Sequence, residues 1–273
     1  MKSLFKNSFR LATDSRVYFL LTGVLLILSC KKTNYLDVEA SSRPSLTAKI
    51  SFVNARPVNQ GVNFYTYTTQ VTPSPVAVNK ATPYMDAQFG LVQINITAAG
   101  STSYLASRVF GGAADFSSSG GPNGPIAGYY HTVFALKAKA SNFTVDSLML
   151  FYDDLSVPAA GTAKFRFVNI ATGSGPVDVL FNGTPVFTSV AYGAAGGAVL
   201  SGSGLNAYSI GPFKSITAGS GNLVIRSSTG NGSPVKLNST EWDNFNFAAG
   251  KIYTIFLNGD MNATVGATAL MHN

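Results

Sequence analysis

The sequence predicts an all-β protein: two tandem β-sandwich domains carried behind an export signal. Three observations predict it. A short strand is written twice, as TAKISFVNA at residues 47–55 and TAKFRFVNI at residues 162–170. The matched segments alternate with period two, the pattern of a half-buried strand. Short runs of this kind are separated by Gly, Pro, Asn and Ser, and the chain beyond the signal carries no convincing amphipathic helix.

The N-terminal segment is set aside first, because targeting sequence is not fold. Lys2, Lys6, Arg10 and Arg16 make a positive start, followed by the uncharged, mostly apolar run Val17 to Leu28. A dozen residues is short of the roughly 20 that a helix needs to span a bilayer core. The run fits the hydrophobic region of an export signal over residues 1–29. Ile27-Leu28-Ser29-Cys30 then resembles the lipobox of bacterial lipoproteins, in which the cysteine thiol takes a diacylglyceryl group and the chain is cut before it. Cys30 is the sole cysteine, so it has no internal disulfide partner. Residues 30–46 read as the acylated cysteine and a tether. Buried acyl chains contribute about 0.8 kcal/mol per methylene, and two or more anchor stably.

The duplicated strand sets the domain organisation, since a repeat missed is a fold misread. Aligning Thr47 with Thr162 pairs Phe52 with Phe167, Val53 with Val168 and Asn54 with Asn169. The same offset pairs Val62 with Val177. Later, Ala127-Gly128-Tyr129-Tyr130 lies over Ala249-Gly250-Lys251-Ile252, and Leu148-Met149 over Leu270-Met271, with the offset seven residues longer. Loop insertions produce such a drift. The first sandwich is expected at residues 47–158 and the second at 159–273.

Each expected strand follows from its pattern. In the first copy they are Lys49 to Asn54, Val62 to Thr68, Leu91 to Thr97, Tyr129 to Leu136 and Ser147 to Tyr152. In the second copy, Ala163, Phe165 and Phe167 point one way and Lys164, Arg166 and Val168 the other. Pro176 to Phe181 runs into Asn182-Gly183, a strong hairpin signal, and Val186-Phe187 returns. Asn222 to Arg226, Lys251 to Leu257 and Thr268 to Met271 complete the set.

Composition narrows the function. The chain has 19 basic and 12 acidic residues, for a net charge of +7. Removing the signal leaves about +4, thinly spread, with no run longer than Lys31-Lys32. Nucleic-acid binding needs a concentrated basic stripe, so no nucleic-acid partner is expected. Charged residues are only 11% of the chain, yet 46% is hydrophobic and 12% aromatic, enough for a substantial core and unlike a disordered chain.

The second copy bears a specific resemblance. Ala163-Lys164-Phe165-Arg166-Phe167-Val168-Asn169, Pro176-Val177-Asp178-Val179, Asn182-Gly183 and Val190-Ala191-Tyr192-Gly193 resemble the family called domain of unknown function 4397. Ala248 to Thr254 is similar to its A-A-G-K-x-Y-T strand, and Asp153 to Gly161 to its inter-repeat junction. The match covers residues 162 to 260. The first copy departs from it, with Ser51 in place of the arginine and no N-G turn after Phe64. The resemblance implies immunoglobulin-like sandwiches in an exported envelope protein, often of the Bacteroidetes. It supplies no catalytic or ligand residues, and fold alone does not supply an activity.

The residues that could carry chemistry are few. His131 lies in a matched strand over Tyr253, which reads as a strand-surface or boundary position, and His272 near the C-terminus reads as solvated. Neither has a spaced partner, so no metal site and no cofactor are expected. Asp153-Asp154 reads as a polar junction, with weak calcium binding as the alternative. No G-x-S-x-G element is present, and no catalytic residue is assigned. The glycine- and serine-rich stretch from Gly111 to Pro125 reads as a loop, with recognition as the alternative. Tyr65, Tyr67 and Tyr84 could form an aromatic surface for glycan or protein. Asp146-Ser147-Leu148 matches the short D-S/T-apolar O-glycosylation pattern of Bacteroidetes.

The expectation is therefore a non-enzymatic binding or adhesion module, lipid-anchored through Cys30 to a bacterial outer membrane, with a glycan or envelope protein as partner. A structural spacer or subunit of an envelope assembly is the alternative, and a hydrolase acting between the domains a minor one. Lys31-Lys32 stand where an acid-rich stretch is associated with surface export in that phylum, which favours the periplasmic leaflet over the cell surface.

Overall fold

The duplicated strand is central in two copies of one topology. The computed structural model describes residues 46–112, 124–140, 143–196, 213–229, 232–235, 237 and 241–273; Cys30, the export signal and the tether lie outside them. The first half comprises β1 (Ala48–Asn54), β2 (Val62–Thr66), β3 (Thr69–Gln70), β4 (Met85–Ala87), β5 (Val92–Ala98), β6 (Tyr104–Phe110), β7 (Tyr130–Ala140) and β8 (Phe143–Asp153). These make two sheets, ordered β4-β1-β7-β8 and β3-β2-β5-β6. The second half comprises β9 (Thr162–Asn169), β10 (Val177–Phe181), β11 (Thr184–Val190), β12 (Lys214–Thr217), β13 (Gly219–Gly221), β14 (Leu223–Ser227), β15 (Phe245–Phe247), β16 (Ile252–Gly259) and β17 (Val265–Met271). Its sheets are β12-β9-β16-β17, β11-β10-β14 and the short pair β13-β15. A single turn of 3-10 helix, Glu241–Asn244, is the helical element among the described residues.

The register carries the repeat. β1 is antiparallel to β4 and parallel to β7, with Lys49 opposite Tyr130. β9 is likewise antiparallel to β12 and parallel to β16, with Lys164 opposite Ile252. The paired positions are 81 residues apart in the first half and 88 in the second, the same seven-residue difference that separates the sequence offsets. Asn182 and Gly183 both have positive φ, 49° and 77°, between Phe181 and Thr184. That is the backbone a two-residue primed hairpin turn requires.

Two apolar clusters fill the two sandwiches. Phe52, Phe64, Ile94, Phe110 and Val133 anchor the first; Phe165, Phe167, Phe187, Ile225 and Phe247 anchor the second. A third cluster joins the halves. Val53 of β1, Phe134 of β7 and Phe151 of β8 pack with Val168 of β9 and Phe256 of β16. Phe134 meets Phe151 and Phe256 edge-on, at 5.7 and 5.4 Å between centroids. The two sheets built on β1 and β9 therefore face each other across this cluster. The expectation of a half-buried β9 is corrected here: every residue from Ala163 to Asn169 is buried. Its second face lies against the first half, not water. Each such apolar side chain, fully buried, is worth about 1.5–3 kcal/mol.

The matched asparagines have a structural role. Asn54 Nδ2 donates to the carbonyls of Gln60 and Val76, at 2.9 and 3.0 Å. Asn169 Nδ2 does the same for Gly175 and Val190, at 3.1 and 3.0 Å, and reaches Ser174 Oγ at 3.0 Å. Each ties the end of its own strand to the loop that follows, adding a donor to two carbonyls on opposite sides of that loop.

Candidate functional site

Polar side chains concentrate in two places, one between the halves and one on the outer sheet of the first half. Between the halves, Arg166 projects from β9 on the face opposite Phe165 and Phe167. Its Nη2 donates to Asp153 Oδ1 at 2.5 Å and to Thr254 Oγ1 at 2.9 Å, its Nε to the same Thr254 oxygen at 3.1 Å, and its Nη1 to the Tyr152 carbonyl at 2.8 Å. Arg166 and Asp153 are both fully buried. The guanidinium lies over the Phe213 ring at 4.6 Å. Asp153 Oδ2 accepts from Thr132 at 2.6 Å and from Tyr84 Oη at 2.7 Å.

His272 closes this cluster. Its Nε2 is 2.7 Å from Thr254 Oγ1 and its Nδ1 is 2.6 Å from Tyr84 Oη. Proton accounting assigns the tautomer. Thr254 Oγ1 already accepts from Arg166, so its own hydrogen goes to Nε2. The Nδ1 hydrogen then goes to Tyr84, whose hydroxyl donates to Asp153. The chain closes only with a neutral imidazole. Burial, with Arg166 adding to it, pushes the His272 pKa down to about 4 against the opposing pull of Asp153. Burial alone would raise the Asp153 carboxyl, but Arg166 beside it holds it below the ordinary carboxylate value. Burial, with Asp153 beside it, also raises the Tyr84 phenol.

Several sequence expectations change at this cluster. His272 is not a solvated end residue but a bridge between the halves, and Tyr84 belongs here rather than to an aromatic surface. His131 is buried at 1% exposure, not a strand-surface residue. Burial depresses its pKa, and its Nε2 accepts from the Ile126 amide at 3.2 Å. Asp153 and Asp154 separate: Asp154 pairs with Lys164 Nζ at 2.9 Å. Each carboxylate is committed to its own cation, which disfavours calcium there. Thr254 and His272 are hydrogen-bonded, but Tyr84 stands between the imidazole and Asp153 where a hydrolase triad has a direct bond, and Thr254 has no exposed surface, its oxygen taken by Arg166. Asp146 is held by Arg56 and Lys137 at 2.6 and 2.9 Å inside β8, so the glycosylation pattern at Asp146-Ser147-Leu148 lies in a paired strand.

The second region is the outer face of the β3-β2-β5-β6 sheet. Tyr65 and Tyr104 meet edge-on at 5.9 Å. Gln93 Nε2 donates to Asn95 Oδ1 at 3.0 Å and to Ser107 Oγ at 2.9 Å. Tyr67 begins the turn after β2 with φ of 52°, a left-handed conformation rare for a bulky residue. Its carbonyl accepts from Asn95 Nδ2 at 2.5 Å and from Tyr104 Oη at 3.3 Å, and its own hydroxyl donates to the Leu91 carbonyl at 3.1 Å. The strained turn is thus held by the face it borders. Tyr67, Phe89, Leu91, Tyr104 and Val109 are all 42–60% exposed. Tyr67 and Phe89 also line a groove of about 620 Å³ together with Thr47 and Asp86. Exposed apolar and aromatic side chains gathered on one part of a surface are candidates for an interaction site.

Of the three expected tyrosines, Tyr65 and Tyr67 share this region. Tyr104 was missed because β6 was missed. A bulge sets Ala106 opposite Ile96 but Tyr104 opposite Thr97, so the alternation breaks inside the strand. Its aromatic start, Tyr104-Leu105, was the available signal. Of the stretch from Gly111 to Pro125, residues 113–123 lie outside the described residues, as does Cys30.

No family model matches the chain, and no curated protein matches it. Among solved structures it is similar to a candidate cell adhesion protein of Bacteroides uniformis, over 84% of this chain and 98% of that one, at 8% identity and a TM-score of 0.23.

Proposed function

We propose that this chain is a lipid-anchored cell-envelope protein, held by acylated Cys30 at the periplasmic face of a bacterial outer membrane, and that it binds a glycan or protein without catalysing a reaction. In this reading its second half is a member of the domain of unknown function 4397 family and its first half a divergent copy. The observation that carries the binding role is the outer face of the first half, where Tyr67, Leu91, Tyr104 and Val109 stand exposed beside hydrogen-bonding amides. Tyrosine supplies large amphipathic area at low entropy cost, which suits recognition. The lipobox resemblance around Cys30 supports the anchor.

A paired experiment tests it. Mass spectrometry of the processed protein is expected to find acyl chains on Cys30; an unmodified thiol rejects the anchor. Labelled protein is expected to bind isolated envelope material saturably, and Leu91→Ser with Val109→Ser is expected to abolish that binding. Equal binding by wild type and variant rejects the face. The spacer reading is favoured by the third apolar cluster, which fuses the halves into a stiff unit; it predicts no saturable ligand and a fixed membrane complex.

A further inference from the structure

Two oxygen atoms on the outer face of the first half have no partner. Asn63 Oδ1 and Thr97 Oγ1 are both buried without a hydrogen bond. They belong to register partners, Asn63 on β2 and Thr97 on β5. Both point away from the core, since Val62, Phe64 and Ile96 occupy the core side of the same strands. A buried polar group without a partner is destabilising, and its presence in a folded protein calls for a reason.

The bulge in β6 brings an aromatic residue beside them. It places Tyr104 opposite Thr97, where regular alternation would turn that ring toward the core. Bulges re-aim side chains in this way beside functional sites. Tyr104 is 48% exposed, and its hydroxyl is held by one long hydrogen bond to Tyr67. The outward positions of β2, β5 and β6 otherwise carry amides, hydroxyls, Tyr65 and Val109, with no charge.

We propose that Asn63 and Thr97 are the floor of a subsite for a neutral sugar, with Tyr104 turning aside to pack on the sugar ring. The proposal rests on reading this face as the binding face. A sugar hydroxyl donates to Asn63 Oδ1 and another accepts from Thr97, satisfying both orphans, while the C–H face of the ring meets tyrosine. An anion finds no cation here, and an apolar ligand leaves both oxygens unpaired. A peptide that binds by adding a strand needs a sheet edge, whereas β2 and β5 are both interior strands.

The test uses the detergent-solubilised full-length protein in native affinity electrophoresis, with dextran, mannan and laminarin as neutral probes and heparin as the anionic control. At least one neutral polymer is expected to retard the protein, and Tyr104→Ala to abolish the retardation. Thr97→Val is expected to weaken it about tenfold. The same substitution is expected to raise Tm by about 2–4 °C, because a methyl replaces an orphaned hydroxyl. A purely structural threonine would lose stability instead. No retardation by any neutral polymer, retardation by heparin alone, unchanged binding in Thr97→Val, or a lowered Tm each overturns the proposal. Envelope binding that is lost in the Leu91→Ser, Val109→Ser variant but kept in Thr97→Val leaves the binding face standing with a partner other than a sugar.

Discussion

The polar cluster between the halves and the Asn63–Thr97 pair beneath the exposed face of the first half are both buried, yet their hydrogen bonds differ. Along the chain from Arg166 through Thr254, His272 and Tyr84 to Asp153, every polar side-chain atom has a partner. Around Asn63 and Thr97 two neighbouring oxygens have none. Arg56, His131, Asn169 and Trp242 also have an unpartnered atom, but among the described residues only Asn63 and Thr97 are register partners. A closed network is what structure requires; an open one leaves capacity for a ligand. The difference teaches that a buried charge can be less informative about function than a buried hydroxyl.

The largest expected effect lies at the closed network. Asp153→Ala leaves the Arg166 guanidinium buried and unpaired, which costs about 3–5 kcal/mol. Removing both charges with Asp153→Leu and Arg166→Met is expected to cost less than the single change, since a buried pair is stabilising mainly relative to half of itself. Urea denaturation of the three proteins measures this. A double variant weaker than Asp153→Ala would mean that the network, not the charge balance, holds the halves together.

Acid sharpens the same comparison. Folded His272 stays neutral down to about pH 4, while the unfolded imidazole takes its proton near 6.5. Between those values the unfolded chain binds more protons, so stability falls as the pH drops, by about 2–3 kcal/mol from this residue. Below about 4 its effect is constant. His131, depressed by burial, acts in the same direction. Asp153 acts lower: its carboxyl sits below 3.8 when folded, so its contribution is lost as the pH falls through that depressed value. Groups around His272 are Tyr84, Asp153, Arg166 and Phe213. His272→Gln is expected to flatten the decline between pH 6.5 and 4 and to leave the later one, as read by Tm against pH.

The duplicated asparagines give a smaller, symmetrical effect. Asn54→Ala and Asn169→Ala each remove at least two hydrogen bonds between strand and loop, and each is expected to cost about 1–3 kcal/mol by urea denaturation. Equal costs would mean that the two loops are held alike despite their different sequences.

Much of the fold was legible because its cause is local. Period two and Asn182-Gly183 mark strands and a turn wherever they occur, and the repeat marks which strands are equivalent. The double burial of β9 was not legible, because Lys164 and Arg166 look like an outward face until a second sheet covers them. Their partners Asp154 and Asp153 are close in sequence, ten and thirteen residues upstream, but nothing in the strand pattern shows that the chain folds back upon itself there. The same holds for His272, whose partner Tyr84 is 188 residues away. On the candidate face, Tyr65 and Tyr67 were found by type alone, whereas Tyr104 was hidden by the bulge that gives it its position.

The smallest expected effect returns to charge. Lys49 and Asp86 form an ion pair at 2.8 Å across β1 and β4, close in length to the Arg166–Asp153 pair, but their side chains are 40% and 61% exposed. Asp86 also accepts from the Thr47 hydroxyl. The hydrogen bonds from Lys49 and Thr47 hold its carboxyl below the ordinary value. Water solvates either partner once the other is removed, so Lys49→Met is expected to leave stability nearly unchanged, with any small loss vanishing in high salt. Lys49 and Lys164 are equivalent positions of the repeat, and Lys164 is largely buried against Asp154 and Ser156. Lys164→Met is therefore expected to cost more than Lys49→Met in the same urea titration. Equal costs would show that burial of Lys164 does not distinguish the two copies.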